Sequence, residues 1–140
     1  MGKKSKEQEA RIAAIFPRGM DDSRSTETLA HYKKYLEENL ELPVEVTGID
    51  DFSWEEFYLL GPGDKREYEQ LRKSRPSYTD KFNLRKIAKD YNDFDGLFAL
   101  VTRITDNKRF RIPLEELKVT DKKSKQYQLL NDYGVWFVNY

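Results

Sequence analysis

The stretch LFALVTRITDNKRFRI, residues 97–112, is the part of the chain that decides the fold class. Residues 97–104 are rich in side chains that favour β-strands, and a second extended run follows at 109–112. Asp106 and Asn107, which lie between the runs, are typical of a hairpin turn. The stretch therefore predicts two neighbouring antiparallel strands.

Further short strands are predicted on both sides of this hairpin. Residues 44–47 follow Pro43, residues 82–89 have a mixed alternation, and residues 117–120 follow a single helical turn at 113–117. Residues 54–60 are interpreted as one more extended piece, closed by the Gly-Pro-Gly at 61–63. Five short strands with one helical turn before the last predict a mainly β, α+β fold, a small SH3-like antiparallel barrel with flanking N- and C-terminal helices.

Helices are predicted around this sheet. Ser25 or Thr26 begins a helix that runs to about Asn39, because apolar residues recur there at spacings of three and four. Shorter helices are predicted at 3–15, from Asp64 to about Lys73, and at 126–131, whereas 135–138 is compatible with helix or strand. The expected organisation is a flexible N-terminal arm at 1–24 and one globular domain at 25–140, with a helical insertion at about 61–78.

The composition excludes several classes of protein. The chain has 140 residues, no cysteine and one histidine, His31, so disulfides and thiolate metal sites are excluded. No apolar run approaches the roughly 20 residues that a membrane helix requires, and no secretory signal is recognisable. We therefore expect a small cytoplasmic protein that does not contact membranes.

No set of catalytic residues is recognisable. Nucleophilic catalysis commonly needs a histidine base, and His31 lies in the middle of a predicted helix. Gly61-Pro62-Gly63 lacks the Lys-Ser/Thr ending of a phosphate-binding loop. The chain is predicted to be non-enzymatic, and a metal-dependent hydrolase stays open only because carboxylates are abundant.

The segment DYNDFDG at residues 90–96 superficially resembles a calcium loop. When the EF-hand pattern is placed on Gly96, its first position is Tyr91 and its twelfth is Thr102, where carboxylates are needed. The segment is therefore predicted to be a polar turn rather than an EF-hand.

The acidic block at 25–60 is the candidate for a metal site, with nine acidic and two basic residues. Hard cations such as Ca²⁺ take six to eight oxygen ligands, which loops can supply as carboxylates and carbonyls. The predicted ligands are four carboxylates that follow the first strand, namely Asp50, Asp51, Glu55 and Glu56. A solvated acidic face is the alternative interpretation.

The basic block at 61–90 carries nine basic and five acidic residues and contains interleaved aromatic rings. Cations that follow a phosphate backbone, together with rings that stack on bases, are what binding of single-stranded nucleic acid requires. The alternative function is therefore an adaptor that recognises a protein or a nucleic acid through residues 61–91. The candidate residues are Arg66, Arg72, Lys73, Arg75, Tyr78, Arg85 and Lys86.

Two stretches carry a family resemblance. HYKKYLEENLELPVEV at 31–46 resembles the opening of the cyanobacterial-type calcium-binding protein family, and YQLLNDYGVWFVN at 127–139 resembles the close of small bacterial proteins related to it. The resemblance implies a small β-barrel with flanking helices that binds Ca²⁺ without EF-hands and has no catalytic activity. It matches no individual ligand residue. On this basis Ca²⁺ is the expected ligand.

Overall fold

The fold is built on one five-stranded antiparallel sheet. A computed structural model describes residues 5–140. The strands are β1 (Val44–Gly48), β2 (Lys81–Ile87), β3 (Phe98–Arg103), β4 (Arg109–Pro113) and β5 (Leu117–Val119). Their order across the sheet is β4-β3-β2-β1-β5.

The hairpin predicted at 97–112 is confirmed. In β3 and β4, Ala99 pairs with Ile112, and Thr102 pairs with Arg109. Asn107 in the turn adopts a positive φ of 61°, a conformation that asparagine tolerates better than most residues. The hairpin therefore extends the sheet on the β2 side.

The α+β class is confirmed, but the sheet is not closed into a barrel. Within residues 5–140, β4 pairs only with β3, and β5 pairs only with β1, so these two strands are the edges. β5 has three residues, which is too short for extensive pairing on a second side. The C-terminal helix instead packs against β5 and the preceding 3-10 turn (Leu114–Glu116).

Within residues 5–140, five α-helices accompany the sheet: α1 (Lys6–Ala13), α2 (Thr26–Asn39), α3 (Ser53–Leu59), α4 (Lys65–Leu71) and α5 (Lys125–Asn139). α2 begins at a capping box, in which the Ser25 Oγ accepts a hydrogen bond from the Thr28 N–H at 3.1 Å. α5 runs without a break through 135–138, so this segment is helical. The rings of Tyr32, Tyr133 and Trp136 pack together where α2 meets α5.

The prediction of an extended piece at 54–60 is wrong, because the segment forms helix α3. Glu55 in its first turn accepts a hydrogen bond from the Phe52 N–H at 3.2 Å, which satisfies one of the amide groups that a helix start leaves unpaired. Acidic residues favour the first turn of a helix, so Glu55 and Glu56 indicated a helix here. The apolar residues of the segment led to the interpretation as a strand instead.

The segment that contains α4 is fixed to the sheet by one buried arginine, Arg103 of β3. Asp64 caps α4, as predicted, because its side chain accepts a hydrogen bond from the Glu67 N–H at 3.0 Å. The Arg103 guanidinium binds the carbonyls of Arg72, Lys73 and Arg75 at 2.8–3.0 Å. The residues that follow α4 thus pack on one end of the sheet.

The N-terminal segment packs against α5 over the part that the structure describes. Ile12 of α1 is fully buried, and the Arg11 guanidinium binds the Asp132 carboxylate at 2.8 Å. Residues 1–4, which belong to the predicted arm and to the start of the predicted helix at 3–15, lie outside the described residues. The predicted domain boundaries stay predictions. Among the helices of residues 5–140, none combines the length and apolarity that crossing a bilayer requires.

Candidate functional site

An acidic cavity lies where β1 ends and β5 begins. Gly48 pairs with Leu117, so the antiparallel register carries the residues after Gly48 past the residues before Leu117. The Ile49 N–H donates a hydrogen bond to the Glu116 carbonyl at 3.0 Å, which fixes this approach. As a result, Asp50 and Asp51 line the same cavity as Glu115 and Glu116.

The cavity has a volume of about 310 Å³ and both polar and apolar walls. Leu130, Val135 and Val138 of α5 contribute to the apolar wall, Asn131 adds one amide group, and Lys118 of β5 adds one positive charge. Oxygen ligands and low-polarity walls therefore adjoin each other. An electric charge placed between them is screened less than it would be in water.

Glu115 is the carboxyl group most affected by this environment. Burial, followed by repulsion from Glu116 and Asp95, raises its pKa to about 8. Its buried Oε1 atom has no hydrogen-bond partner within residues 5–140. A backbone hydrogen bond and the charge of Arg24 lower the pKa but do not outweigh these effects. A carboxyl group that has one oxygen without a donor and has carboxylate neighbours gains free energy by binding either a proton or a cation.

Glu116 and Glu56 extend the acidic surface. Burial raises the pKa of Glu116, and repulsion from Glu56 adds to this shift. Glu56 itself is exposed on α3. Of the four predicted metal ligands, Asp50 and Asp51 lie in the cavity, whereas Glu56 lies close enough to Glu116 to affect its titration.

Glu55 lies apart from the cavity, although the sequence analysis grouped it with Asp50 and Asp51. Its side chain is 0% exposed. Its Oε1 accepts hydrogen bonds from the N–H groups of Phe52 (3.2 Å) and Tyr78 (2.8 Å), and its Oε2 accepts from Tyr68 Oη (2.6 Å) and Ser77 Oγ (2.7 Å). Four donors occupy both oxygens, so Glu55 connects α3 to α4 and to the 77–80 loop. Residues 53–59 form a helix, which the sequence analysis did not predict, and this helix directs the Glu55 side chain into the interior.

No group of three or more His, Asp or Glu side chains stands in a ready metal-binding arrangement among the described residues. The acidic cavity offers the oxygen types that Ca²⁺ takes, but its carboxylates are spread over a loop and a 3-10 turn. Binding would require their side chains to converge. Sequence reasoning missed Glu115 and Glu116 because they are 60 or more residues distant from Asp51 in the chain, and only strand pairing makes them neighbours.

The turn at 90–96 is polar, as predicted. The Asn92 Oδ1 accepts hydrogen bonds from the N–H groups of Phe94 (3.0 Å) and Asp95 (2.7 Å), and Gly96 has a positive φ of 73°. These are turn-forming interactions. They explain the Asp- and Asn-rich composition of the segment without a metal ion.

The basic candidates do not form one surface. Arg66 and Lys73 line a shallow depression on α4. Arg72 donates to Thr79 Oγ1 at 3.0 Å, the Arg75 guanidinium lies 5.5 Å from the Trp54 ring centre, and Tyr78 packs against the core.

Arg85 and Lys86 instead lie on the sheet surface that faces away from the core. The sequence analysis did not include two basic residues that lie beside them, Arg109 and Arg111. Arg85 and Lys86 line a cavity together with Arg109 and Arg111 of β4. The alternation Arg109-Phe110-Arg111-Ile112 was the signal that could have identified them, because alternate residues of a strand share a face.

Comparison with known proteins supports the fold. No protein-family model matches the chain, and no curated protein matches it in sequence. The crystal structure of Anabaena CcbP is similar, with a TM-score of 0.63 and 15% sequence identity, covering 96% of this chain and 92% of that chain. At this level of identity the likeness shows that the two chains share a fold.

Proposed function

We propose that this chain is a non-catalytic binding module that takes up Ca²⁺ at the acidic cavity. The observation that carries the proposal is that Asp50, Asp51, Glu115 and Glu116 line one cavity. The fold shared with Anabaena CcbP supports it, as does the resemblance of residues 31–46 and 127–139 to the cyanobacterial-type calcium-binding proteins.

The donor set of the cavity suits a hard cation. Each of the four side chains supplies carboxylate oxygens, and Asn131 supplies an amide oxygen, which are ligand types that Ca²⁺ accepts. Lys118 also lines the cavity, so the four carboxylates outweigh one positive charge there. Glu115 Oε1 has no hydrogen-bond partner among residues 5–140, so a cation would displace no donor from it. Glu55 is left out of the proposed ligand set because four donors already satisfy its carboxylate.

Proton release distinguishes this site from an ordinary acidic surface. A carboxyl group whose pKa is about 8 is about nine-tenths protonated at pH 7, and a cation binds its deprotonated form. Ca²⁺ binding should therefore release close to one proton at pH 7 and roughly a tenth of a proton at pH 9. Calorimetric titration in two buffers with different ionisation enthalpies measures this number directly.

The deciding experiment is titration of the full chain with Ca²⁺ and then with Mg²⁺, combined with thermal unfolding. Ca²⁺ at about 100 times its dissociation constant should stabilise the folded state by about 2.7 kcal/mol. The variant D50N/D51N should abolish this gain, and E115Q should abolish the proton release. The matched control D93N/D95N changes two carboxylates in the 90–96 turn and should bind like wild type. A melting temperature that does not respond to millimolar Ca²⁺ would refute the proposal.

A further inference from the structure

The outer surface of β2, β3 and β4 is a basic sheet face. Within residues 5–140, the helix that contacts these strands, α2, packs on the opposite side of the sheet. The core residues Leu84, Val101 and Ile112 also belong to that side. We define the open sheet face by side chains that line two adjoining cavities. Five of them alternate with core residues, namely Asn83, Leu100, Thr102, Arg109 and Arg111. The other two, Arg85 and Lys86, are consecutive exposed residues where the register of β2 shifts.

The cations of the open sheet face are available to a ligand. Arg85, Lys86 and Arg109 are exposed, and none of them has an ion pair or side-chain hydrogen bond within residues 5–140. The two cavities have volumes of about 480 and 510 Å³ and share Arg85 and Arg109, and neither is lined by Asp or Glu. The nearest acid on β1 is Glu45, which pairs with Asn83 and accepts a hydrogen bond from Thr120 Oγ1 at 2.7 Å.

The floor of the first cavity contains a polar atom without a partner. Thr102 pairs with Asn83 on one side and with Arg109 on the other. Its Oγ1 is buried and has no hydrogen-bond partner within the described chain. Rotation of the Thr102 side chain would let this buried hydroxyl group donate a hydrogen bond to an anion held by Arg85 and Arg109, whereas it costs free energy by staying unsatisfied.

The second cavity adds a surface on which a planar group can stack. The Arg111 guanidinium lies 3.9 Å from the centre of the Phe98 ring and binds Asp90 at 2.6 Å, so it is held in place. Guanidinium groups and aromatic rings are the surfaces on which unpaired bases stack. The open sheet face thus combines cations, a hydroxyl group without a hydrogen-bond partner within residues 5–140 and a surface for stacking.

We propose that the open sheet face binds single-stranded nucleic acid, with phosphates at Arg85, Thr102 and Arg109 and a base at Arg111. Two cavities that share their arginines fit a ligand with repeated anionic groups better than a lone anion. An acidic peptide would use the cations but offers no planar group for Arg111. The proposal is independent of Ca²⁺ binding, which concerns the other end of the sheet.

The test measures fluorescence anisotropy of a labelled oligo(dT) of about 20 nucleotides against the full chain at several salt concentrations. R85Q/R109Q should weaken binding by roughly 25-fold at 0.1 M salt and reduce the log–log salt slope by about 1.4, since each phosphate contact contributes about 0.7. T102V should weaken binding while leaving the slope unchanged. The matched control R66Q/K73Q also removes two positive charges, one from α4 and one from the turn that follows it. It should bind within about twofold of wild type, because these residues are not part of the open sheet face.

Three results would overturn the proposal. The first is no binding of oligo(dT) at low salt. The second is an equal loss of affinity in R66Q/K73Q, which would place the contact on α4 or make it a non-specific charge effect. The third is displacement of oligo(dT) by polyglutamate of the same length at equal concentration, which would identify an acidic protein segment as the ligand.

Discussion

Glu55 is a fully buried carboxylate and Glu115 a half-buried one, and their surroundings are opposite. Glu55 lies between α3, α4 and the 77–80 loop, and four donors satisfy its two oxygens. Glu115 lies in the acidic cavity with other carboxylates nearby and one oxygen without a donor. The first arrangement stabilises the folded chain, and the second costs stability until a proton or a cation binds.

The difference shows that burial alone does not assign a role to an acidic residue. A buried carboxylate with a complete set of donors is a structural element, because removing it leaves those donors unsatisfied. A carboxylate in a buried environment with an oxygen that has no donor can still bind a proton or a cation. Glu55 is therefore interpreted as a structural residue that joins α3 to α4, and Glu115 as a residue of the cavity proposed to bind Ca²⁺.

The largest expected effect comes from removing the satisfied carboxylate. E55A should lower the free energy of unfolding by about 3–5 kcal/mol, since it leaves four donors without an acceptor and creates a cavity. Urea denaturation followed by tryptophan fluorescence measures the loss. The control E56A changes the exposed neighbour on α3 and should stay within about 0.5 kcal/mol of wild type. Similar losses in both variants would mean that Glu55 has no special role in stability.

An intermediate effect of opposite sign is expected at Glu115. Its folded-state pKa of about 8 lies above the ordinary value of 4.5, so the folded protein holds a proton that the unfolded chain releases between these pH values. Stability should therefore fall as pH rises through this window, by roughly 3 kcal/mol between pH 4.5 and pH 7. Above pH 8 this contribution should stay constant.

The variant E115Q isolates that contribution. It should be more stable than wild type at pH 7, and its advantage should be nearly gone near pH 4.5, where the wild-type carboxyl group is protonated in the folded state and half protonated in the unfolded chain. Urea unfolding at several pH values measures the difference. E38Q, which changes an exposed residue of α2, serves as the control and should follow the wild-type curve. An advantage of E115Q that does not vary with pH would contradict the assignment of the raised pKa.

The smallest effect concerns single donors to Glu55. Y68F and S77A each remove one hydroxyl that donates to Glu55 Oε2, at 2.6 and 2.7 Å. Each variant should lose about 1–2 kcal/mol, because the other three donors still hold the carboxylate. A double-mutant cycle with the two variants should show coupling, since both donors share one oxygen. Strict additivity would indicate that the two bonds act independently.

Parts of the candidate site were visible in the sequence. Asp50 and Asp51 were identified because they belong to the acidic block and follow the first strand, and the 90–96 segment was correctly interpreted as a polar turn. Glu55 was assigned to the same loop because residues 54–60 were interpreted as extended. The helical start of α3 reverses that placement, since it directs this side chain to donors on α4 and on the 77–80 loop.

By itself the sequence determined the local elements: the 97–112 hairpin, the capped helix at 26–39, the turn before the last strand and the absence of thiol chemistry. These follow from residue-by-residue preferences and from spacing along the chain. Only the tertiary structure decided which distant residues meet. It placed Glu115 and Glu116 opposite Asp50 and Asp51, and it joined Arg109 to Arg85 on the open sheet face. The physical reason is that strand register is set by the packing of the whole core, so side chains far apart in the chain become neighbours only when every strand is in place.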